Sequence, residues 1–203
     1  MLALLFVALL SAAAPAAPAA AQVTGSVLLA AGDIGSCSTT TGSTATATLV
    51  GSSRGIVAPL GDANGPDNSL AQYQQCYGPT WGKYLSRTRP AAGNRDLELP
   101  GPTGYYDYFG GAAGPRDKGY YSYTLGTWHI VVLNSSCGKV GCAATGAQGK
   151  WLSADLAAHP DTCTLAYWHR PLFTSGAVHS GATSMRALFT ILYDHHADVV
   201  LNA

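Results

Sequence analysis

Charge is scarce in this 203-residue chain, and neither sign is in excess. Charged side chains make up 11% of the residues, whereas a typical soluble domain has about 25%. The 11 basic side chains balance the 11 acidic ones, so the formal net charge is zero. Proteins that bind nucleic acid electrostatically need a basic excess to displace counterions from the phosphates. We therefore expect no nucleic-acid-binding surface.

Long apolar runs are absent beyond the N-terminus. The chain begins MLALLFVALLSAAAPAAPAAAQ, an apolar stretch followed by small residues, with Ala19-Ala20-Ala21 as a cleavage site. This pattern predicts a secretory signal peptide over residues 1–21 and one secreted, extracellular or periplasmic domain over residues 22–203. A membrane anchor is the alternative, but the apolar segment is too short to span a bilayer. We predict no membrane span in the domain that remains after cleavage.

Paired cysteine motifs of the kind that bind zinc are also missing. Five cysteines occur, at positions 37, 76, 137, 142 and 163. Only Cys137 and Cys142 lie close together in the sequence, and no second close pair accompanies them. Five cysteines in an exported chain favour disulfide bonds with one cysteine left over. We predict a Cys37–Cys76 disulfide and leave the other three cysteines unassigned.

The chain does contain a series of short apolar runs that end in polar residues. The runs are VTGSVLLAAGD, GIVAPLGD, TWHIVVLNSS, TCTLAYWH and ADVVLNA, and helical patterns lie between them. Short, continuously apolar runs are typical of strands in a sheet that is covered on both faces. Their alternation with helices predicts an α/β fold with largely parallel pairing. The Tyr- and Gly-rich segment over residues 104–134 is the exception, and its composition favours an antiparallel hairpin.

Polar residues at the ends of apolar runs form a candidate metal site. In open α/β sheets, ligands bind at the carboxyl ends of the strands. The candidate ligands at these ends are Asp33, Asp62, Asn94 and His169. Carboxylate, amide and imidazole groups together suit divalent ions such as Zn, Mn or Fe. For each residue alone a turn or cap is the alternative, as at Gly93-Asn94, because both residue types are common in turns.

Four motifs carry a resemblance to a known family. In chain order they are Gly32-Asp33-Ile34-Gly35, Leu60-Gly61-Asp62, Gly93-Asn94-Arg95-Asp96 and Ala166-Tyr167-Trp168-His169. The set resembles the calcineurin-like metallophosphoesterases, in particular their secreted, purple-acid-phosphatase-like branch. The resemblance implies a β-sandwich of two mixed sheets flanked by helices, with two divalent metal ions. Asp33 would bind the first ion, Asp62 would bridge both, and Asn94 and His169 would bind the second. Metal-activated water or hydroxide would attack the phosphorus of a small phosphoester substrate.

Arg95 departs from the family pattern, which is G-N-H-D or G-N-H-E. The histidine of that pattern contacts phosphate and assists proton transfer. Arginine holds phosphate oxygens through its planar fork, but it cannot give up a proton at ordinary pH. The resemblance therefore implies that Arg95 retains phosphate contact and loses acid catalysis, a loss of roughly 10²–10⁴-fold. A solvated loop charge is the alternative for this residue.

The C-terminal part of the family pattern is also missing. The resemblance implies a G-H-x-H segment after the last core strand, whereas this sequence stops at DVVLNA. The first ion would keep only Asp33 and Asp62, so the second site is better supported, and the C-terminal sheet would be incomplete. We expect a truncated hydrolase with reduced or absent activity. The alternative is a non-catalytic secreted domain that binds phosphate or another ligand.

Two further features bear on function. Gly51-Ser52-Ser53-Arg54-Gly55 has the G-x-S-x-G spelling of a nucleophile elbow, which requires a strand before it and a helix after it. Here the predicted order is the reverse, which argues against a serine hydrolase. His179, in the loop that follows His169, is placed to contact substrate, and we predict that role for it.

Overall fold

The computed structural model describes residues 26–65, 69–97 and 103–203, and the predicted signal peptide lies outside them. The strands are β1 Leu28–Ala31, β2 Ile56–Pro59, β3 Tyr121–Leu125, β4 Trp128–Val132, β5 Cys163–Tyr167 and β6 Val199–Leu201. The α-helices are α1 Thr41–Ser52, α2 Leu70–Gln72, α3 Thr103–Phe109, α4 Cys137–Val140, α5 Ala147–Ala157 and α6 Arg186–Asp194. Helix α2 continues into a π-helical turn, Tyr73–Tyr77. Short 3₁₀ turns cover Trp81–Arg87, Arg95–Leu97, Gly110–Ala113 and Thr183–Met185.

The strands form two sheets. In the first, β1 pairs parallel with β2. In the second, the order is β3-β4-β5-β6, with an antiparallel β3–β4 pair and parallel β4–β5 and β5–β6 pairs. The prediction of a mixed α/β fold with largely parallel pairing is confirmed at this level.

Alternation along the strands explains how the sheets pack. Successive side chains of a strand point to opposite faces. In β4, Ile130 belongs to a buried cluster that also contains Ala58 of β2, so the two sheets contact each other there. The next residue, Val131, packs instead with Leu152 of α5 and Leu188 of α6. The central strand is therefore covered on both faces, which accounts for its continuously apolar sequence.

The prediction of a hairpin over residues 104–134 was wrong for its first part. Only β3 and β4 form an antiparallel hairpin, whereas the preceding tyrosines lie on helix α3 and the 3₁₀ turn after it. Tyr105, Tyr106 and Phe109 of α3 are buried, and this spacing places them on one helical face. They pack against Tyr73 and Tyr77 of the π-helical turn. Tertiary packing of the aromatic face thus overrode the local preference of Tyr for strands.

Two disulfide bonds hold the chain. The predicted Cys37–Cys76 bond is confirmed and joins the loop after β1 to the π-helical turn. A second bond joins Cys137 to Cys142, and Cys163 is free and exposed. Disulfides of this kind fit an exported protein. Within the described ranges, no helix combines the length and apolarity that crossing a membrane requires.

We predict that Phe109→Ala lowers the free energy of unfolding by about 3–5 kcal/mol, because it leaves a cavity in a closely packed aromatic cluster. Phe109 is 4% exposed, with its ring centroid 5.2–5.5 Å from those of Tyr73, Tyr77 and Tyr105. Phe173→Ala is the matched control, since Phe173 is 65% exposed, and it should cost only about 0.5 kcal/mol. Urea unfolding measures both, and equal losses would contradict this account of the core.

Candidate metal centre

Three side chains from the ends of three strands meet at one place. Asp33 follows β1, Asp62 follows β2 and His169 follows β5, which belongs to the other sheet. One ligand atom of each lies within 4.8 Å of the others. Asp62 and His169 are buried, whereas Asp33 is exposed. The group therefore forms a shallow centre at the junction of the two sheets, open to solvent on the Asp33 side.

The backbone is unusual where the two aspartates leave their strands. Asp33 and Asp62 both have φ of 49°, in the left-handed region that few non-glycine residues adopt, although Asp tolerates it better than most. Gly61 has φ of 98°, and a Cβ there would lie 2.7 Å from both the Gly93 Cα and the His169 Cβ. A Cβ on Gly93 would overlap the Asp62 carboxylate. The two glycines thus allow three backbone segments to come closer than side chains would permit.

His169 presents a ring nitrogen to the carboxylates. Its Nδ1 lies 3.1 Å from the Leu60 carbonyl oxygen, which can accept the Nδ1–H and leave Nε2 with the lone pair. This arrangement orients metal-binding histidines in many proteins. Nε2 is 3.4 Å from Asp62 Oδ2. Two ligands of one tetrahedral ion, with bonds of about 2.1 Å, lie roughly 3.4 Å apart, so this pair fits a shared ion.

The surroundings of His169 favour positive charge. Burial lowers the pKa of His169, but the neighbouring carboxylates, chiefly that of Asp62 and then those of Asp33 and Asp96, outweigh this effect. The net pKa of His169 lies above its ordinary value. A divalent cation at the same place would compete with a proton for His169 and for the carboxylates.

Asp96 is a functional residue to which the sequence argument assigned no role. Its Oδ2 accepts hydrogen bonds from the backbone N–H groups of Asp62, at 2.9 Å, and Gly93, at 2.7 Å. Its Oδ1 accepts a hydrogen bond from Tyr73. The carboxylate therefore ties the two ligand loops to each other and to the π-helical turn. The acidic fourth position of the G-N-H-D pattern was the signal that could have identified it.

The pKa of Asp96 is raised from 3.8 to about 6. Burial is the largest cause, because the ionised form loses solvation, and repulsion from Asp62 adds to it. Hydrogen bonds from Tyr73 and from the two backbone N–H groups act in the opposite direction and lower the pKa.

Asn94 lies between residues that contact the cluster, but its amide oxygen has another partner. The Arg95 backbone N–H donates to Asp62 Oδ1 at 2.9 Å, and the Gly93 N–H donates to Asp96. Asn94 Oδ1 accepts a hydrogen bond of 3.1 Å from the Arg170 guanidinium. An ion that uses this oxygen would therefore share it with Arg170, whose role the sequence did not reveal.

The other two predicted site residues differ in placement. The Arg95 Nε lies 3.6 Å from Asp62 Oδ2, and the side chain is 49% exposed, so its guanidinium borders the centre and also faces solvent. His179 is exposed in the loop that follows His169 and is not part of the group formed with Asp33 and Asp62.

A second group of potential ligands consists of His129, Asp155 and His159. The His129 Nε2 is 2.7 Å from Asp155 Oδ2, and Ser122 donates a hydrogen bond to the other oxygen of that carboxylate. The two imidazole rings stack with centroids 3.9 Å apart and planes 15° apart. Imidazole lone pairs lie in the ring plane, so nearly parallel stacked rings cannot direct them at one ion. This group instead ties α5 to the β3–β4 hairpin.

We predict a specific pH dependence of stability from Asp96 in protein kept free of metal by a chelator. The pKa of Asp96 is higher in the folded state than in the unfolded state. The stability that this difference contributes is therefore fully present below about pH 4 and is lost as pH rises through about 6. The free energy of unfolding of the wild type should fall over this window, relative to Asp96→Asn, by on the order of 3 kcal/mol. Asparagine retains an oxygen acceptor and has no charge to titrate.

Urea unfolding at a series of pH values measures this difference. Asp161→Asn is the control, because Asp161 is exposed, and its profile should follow that of the wild type. Parallel profiles for the wild type and Asp96→Asn would contradict the assignment.

Comparisons with known proteins point to the fold. No family model and no curated protein matches the chain. Among solved structures, it is similar to GAP50, the anchor in the inner membrane complex of Plasmodium, with a TM-score of 0.59 and 14% identity over 86% of this chain and 64% of that one. It is also similar to the purple acid phosphatase PPD1 from yellow lupin (Lupinus luteus) seeds, with a TM-score of 0.59 and 16% identity over 87% of this chain. The chain spans only 37% of the length of that phosphatase. At these identities the likeness shows only that the mixed α/β fold of this chain is similar to that of both proteins.

Proposed function

We propose that this chain is a metal-dependent phosphoric ester hydrolase of the calcineurin-like, purple-acid-phosphatase-like type. The observation that carries the proposal is the convergence of Asp33, Asp62 and His169. These residues follow strands of two different sheets, and Asp33 and His169 are more than 130 positions apart in the sequence. The similarity in fold to a purple acid phosphatase supports it. Fold alone does not decide function, because a similar fold occurs in the GAP50 anchor.

The donor set fits divalent cations. Zn, Mn or Fe ions would share Asp62, with Asp33 on the first ion and with Asn94 and His169 on the second. The second site has more protein ligands in this chain, whereas the first has two carboxylates. Bound there, the ions would polarise a phosphoryl oxygen and activate water for hydrolysis.

The chain's own residues would position the substrate. Arg95 can donate two parallel N–H groups to phosphoryl oxygens, and its half-exposed guanidinium already borders the carboxylates. Arginine remains protonated throughout the usual pH range, so Arg95 would bind phosphate without acting as an acid. Asp96 would fix the distance between the Asp62 and Gly93 loops by accepting a hydrogen bond from each. His179, exposed in the loop after His169, would meet the part of the substrate beyond the phosphate.

The proposal includes the location of the enzyme and its substrate. We place the protein outside the cytoplasm, in line with its two disulfides, and take a small phosphoester as its substrate. The metallophosphoesterase-type arrangement of two sheets as a sandwich is part of the same proposal. A non-catalytic domain that binds phosphate or another ligand is the alternative that the following measurements exclude or establish.

We predict that Asp62→Asn lowers the affinity for Mn²⁺ or Zn²⁺ at least tenfold, because neutralising the shared ligand removes a charge from both ion positions. Isothermal titration of the chelator-stripped protein measures this affinity. Asp161→Asn is the matched control, since it makes the same chemical change at an exposed site, and should bind like the wild type. Equal metal affinity in Asp62→Asn and the wild type would rule out the centre.

We predict that Arg95→His raises kcat on an alkyl phosphate by roughly 100-fold, because histidine can protonate the leaving alkoxide and arginine cannot. Turnover of p-nitrophenyl phosphate should change little, because p-nitrophenolate leaves without a proton. Arg95→Gln is the control: its side chain can donate hydrogen bonds but cannot give up a proton, and it should raise neither rate. If Arg95→His accelerates both substrates equally, or neither, residue 95 has no part in proton transfer.

A further inference from the structure

A cavity of about 360 Å³ opens directly beside the candidate metal centre. Its lining includes the carboxylates of Asp33 and Asp62, the Arg95 side chain and the hydroxyl-bearing residues Ser36 and Ser38. The volume lies near the lower end of the range of about 300–1,000 Å³ for small-molecule sites. The cavity therefore combines the metal-binding carboxylates with three side chains that can donate hydrogen bonds to an anion.

The two serine hydroxyls are held together. Ser36 Oγ and Ser38 Oγ are 2.7 Å apart, so one donates to the other and one hydroxyl proton of the pair remains for a ligand. Between them, Cys37 is bonded to Cys76 of the π-helical turn. Asn64 also contacts the Cys37 sulfur, at 3.7 Å. The Ser-Cys-Ser turn is thus fastened from two sides by segments distant in sequence.

The same turn is pinned to the loop that carries Asp62. Ser36 makes β-bridges to Thr39 and to Gly65, and the Gly65 N–H donates to the Gly35 carbonyl at 2.9 Å. The Arg95 side chain lies against Gly65. Hydroxyls and guanidinium therefore share a wall whose backbone is fixed by hydrogen bonds and a disulfide, and such preorganisation lowers the entropic cost of binding.

We propose that the hydroxyl pair of Ser36 and Ser38 acts with Arg95 to bind the phosphoryl group of the substrate, which makes the two serines substrate-binding residues of the hydrolase. The inference rests on the proposed function, because without a cation the carboxylates of Asp33 and Asp62 would repel a phosphate.

The donor count supports this role. The Arg95 guanidinium fork can donate to two phosphoryl oxygens. The one hydroxyl proton that the serine pair leaves free can donate to a third.

The test uses the full chain loaded with Mn²⁺, with inorganic phosphate as the titrant in calorimetry. We expect the Ser36→Ala/Ser38→Ala double variant to bind phosphate at least tenfold more weakly than the wild type, because hydrogen bonds to a charged group are lost. Its Mn²⁺ affinity should stay within twofold of the wild type, which also shows that it is folded. Ser52→Ala is the control, since Ser52 is exposed on helix α1, and should alter neither affinity.

Unchanged phosphate affinity in the double variant that still binds Mn²⁺ would overturn the role of the serines and leave the metal centre standing. Failure of the wild type to bind Mn²⁺ would overturn the proposed function itself, and this inference with it.

Discussion

The buried carboxylate of Asp96 is the interaction on which the candidate site depends. It accepts hydrogen bonds from the backbone of Asp62 and Gly93 and from the Tyr73 hydroxyl, and so joins three segments that are far apart in the sequence. Burying a carboxylate is costly unless its hydrogen bonds are made, and here its surroundings raise its pKa to about 6. At neutral pH the buried carboxylate therefore lowers the stability of the fold, while its hydrogen bonds hold the Asp62 and Gly93 loops in contact.

The π-helical turn links this brace to the wall of the cavity. Tyr73 at its start reaches Asp96, and Cys76 near its end is bonded to Cys37 between the two serines. The turn itself is anchored by its rings, since Tyr73 and Tyr77 are buried against helix α3. Single π-helical turns within helices are frequent at functional sites. In this protein, one such turn connects the aromatic core with both the candidate metal ligands and the hydroxyl pair.

Several of the chain's few charged side chains lie around the candidate metal centre. Asp33, Asp62 and Asp96 lie close to His169, and their carboxylates raise its pKa. The nearby positive groups are Arg95 and Arg170. The Arg95 pair with Asp62 is long and half exposed, and such pairs are weak. A divalent cation would bind the same carboxylates at shorter distances and with a higher charge than the Arg95 guanidinium. Its attraction to them would therefore be stronger. The guanidiniums would then be free to face an anionic substrate.

Local sequence was sufficient for part of this picture. The apolar runs predicted the core strands, the residues that follow them included Asp33, Asp62 and His169, and the Cys37–Cys76 bond was also predicted. The strands could be predicted locally, because a strand that is covered on both faces needs an apolar run, and the residues that follow such strands are the usual place for ligand binding. The Asn94 prediction gave a plausible ligand type but could not show that Arg170 would occupy its oxygen.

The tertiary structure alone decided the remainder. The tyrosines of residues 105–109 formed a helix because neighbouring aromatic rings from another segment covered one helical face. The roles of Asp96 and Arg170, and the meeting of Ser36 and Ser38 with Arg95, depend on how loops from distant parts of the chain approach one another. Sequence alone determined which polar groups leave the strands. Their partners were set by the packing of the two sheets and by the close backbone approach at Gly61 and Gly93, because contacts between remote segments have no local pattern.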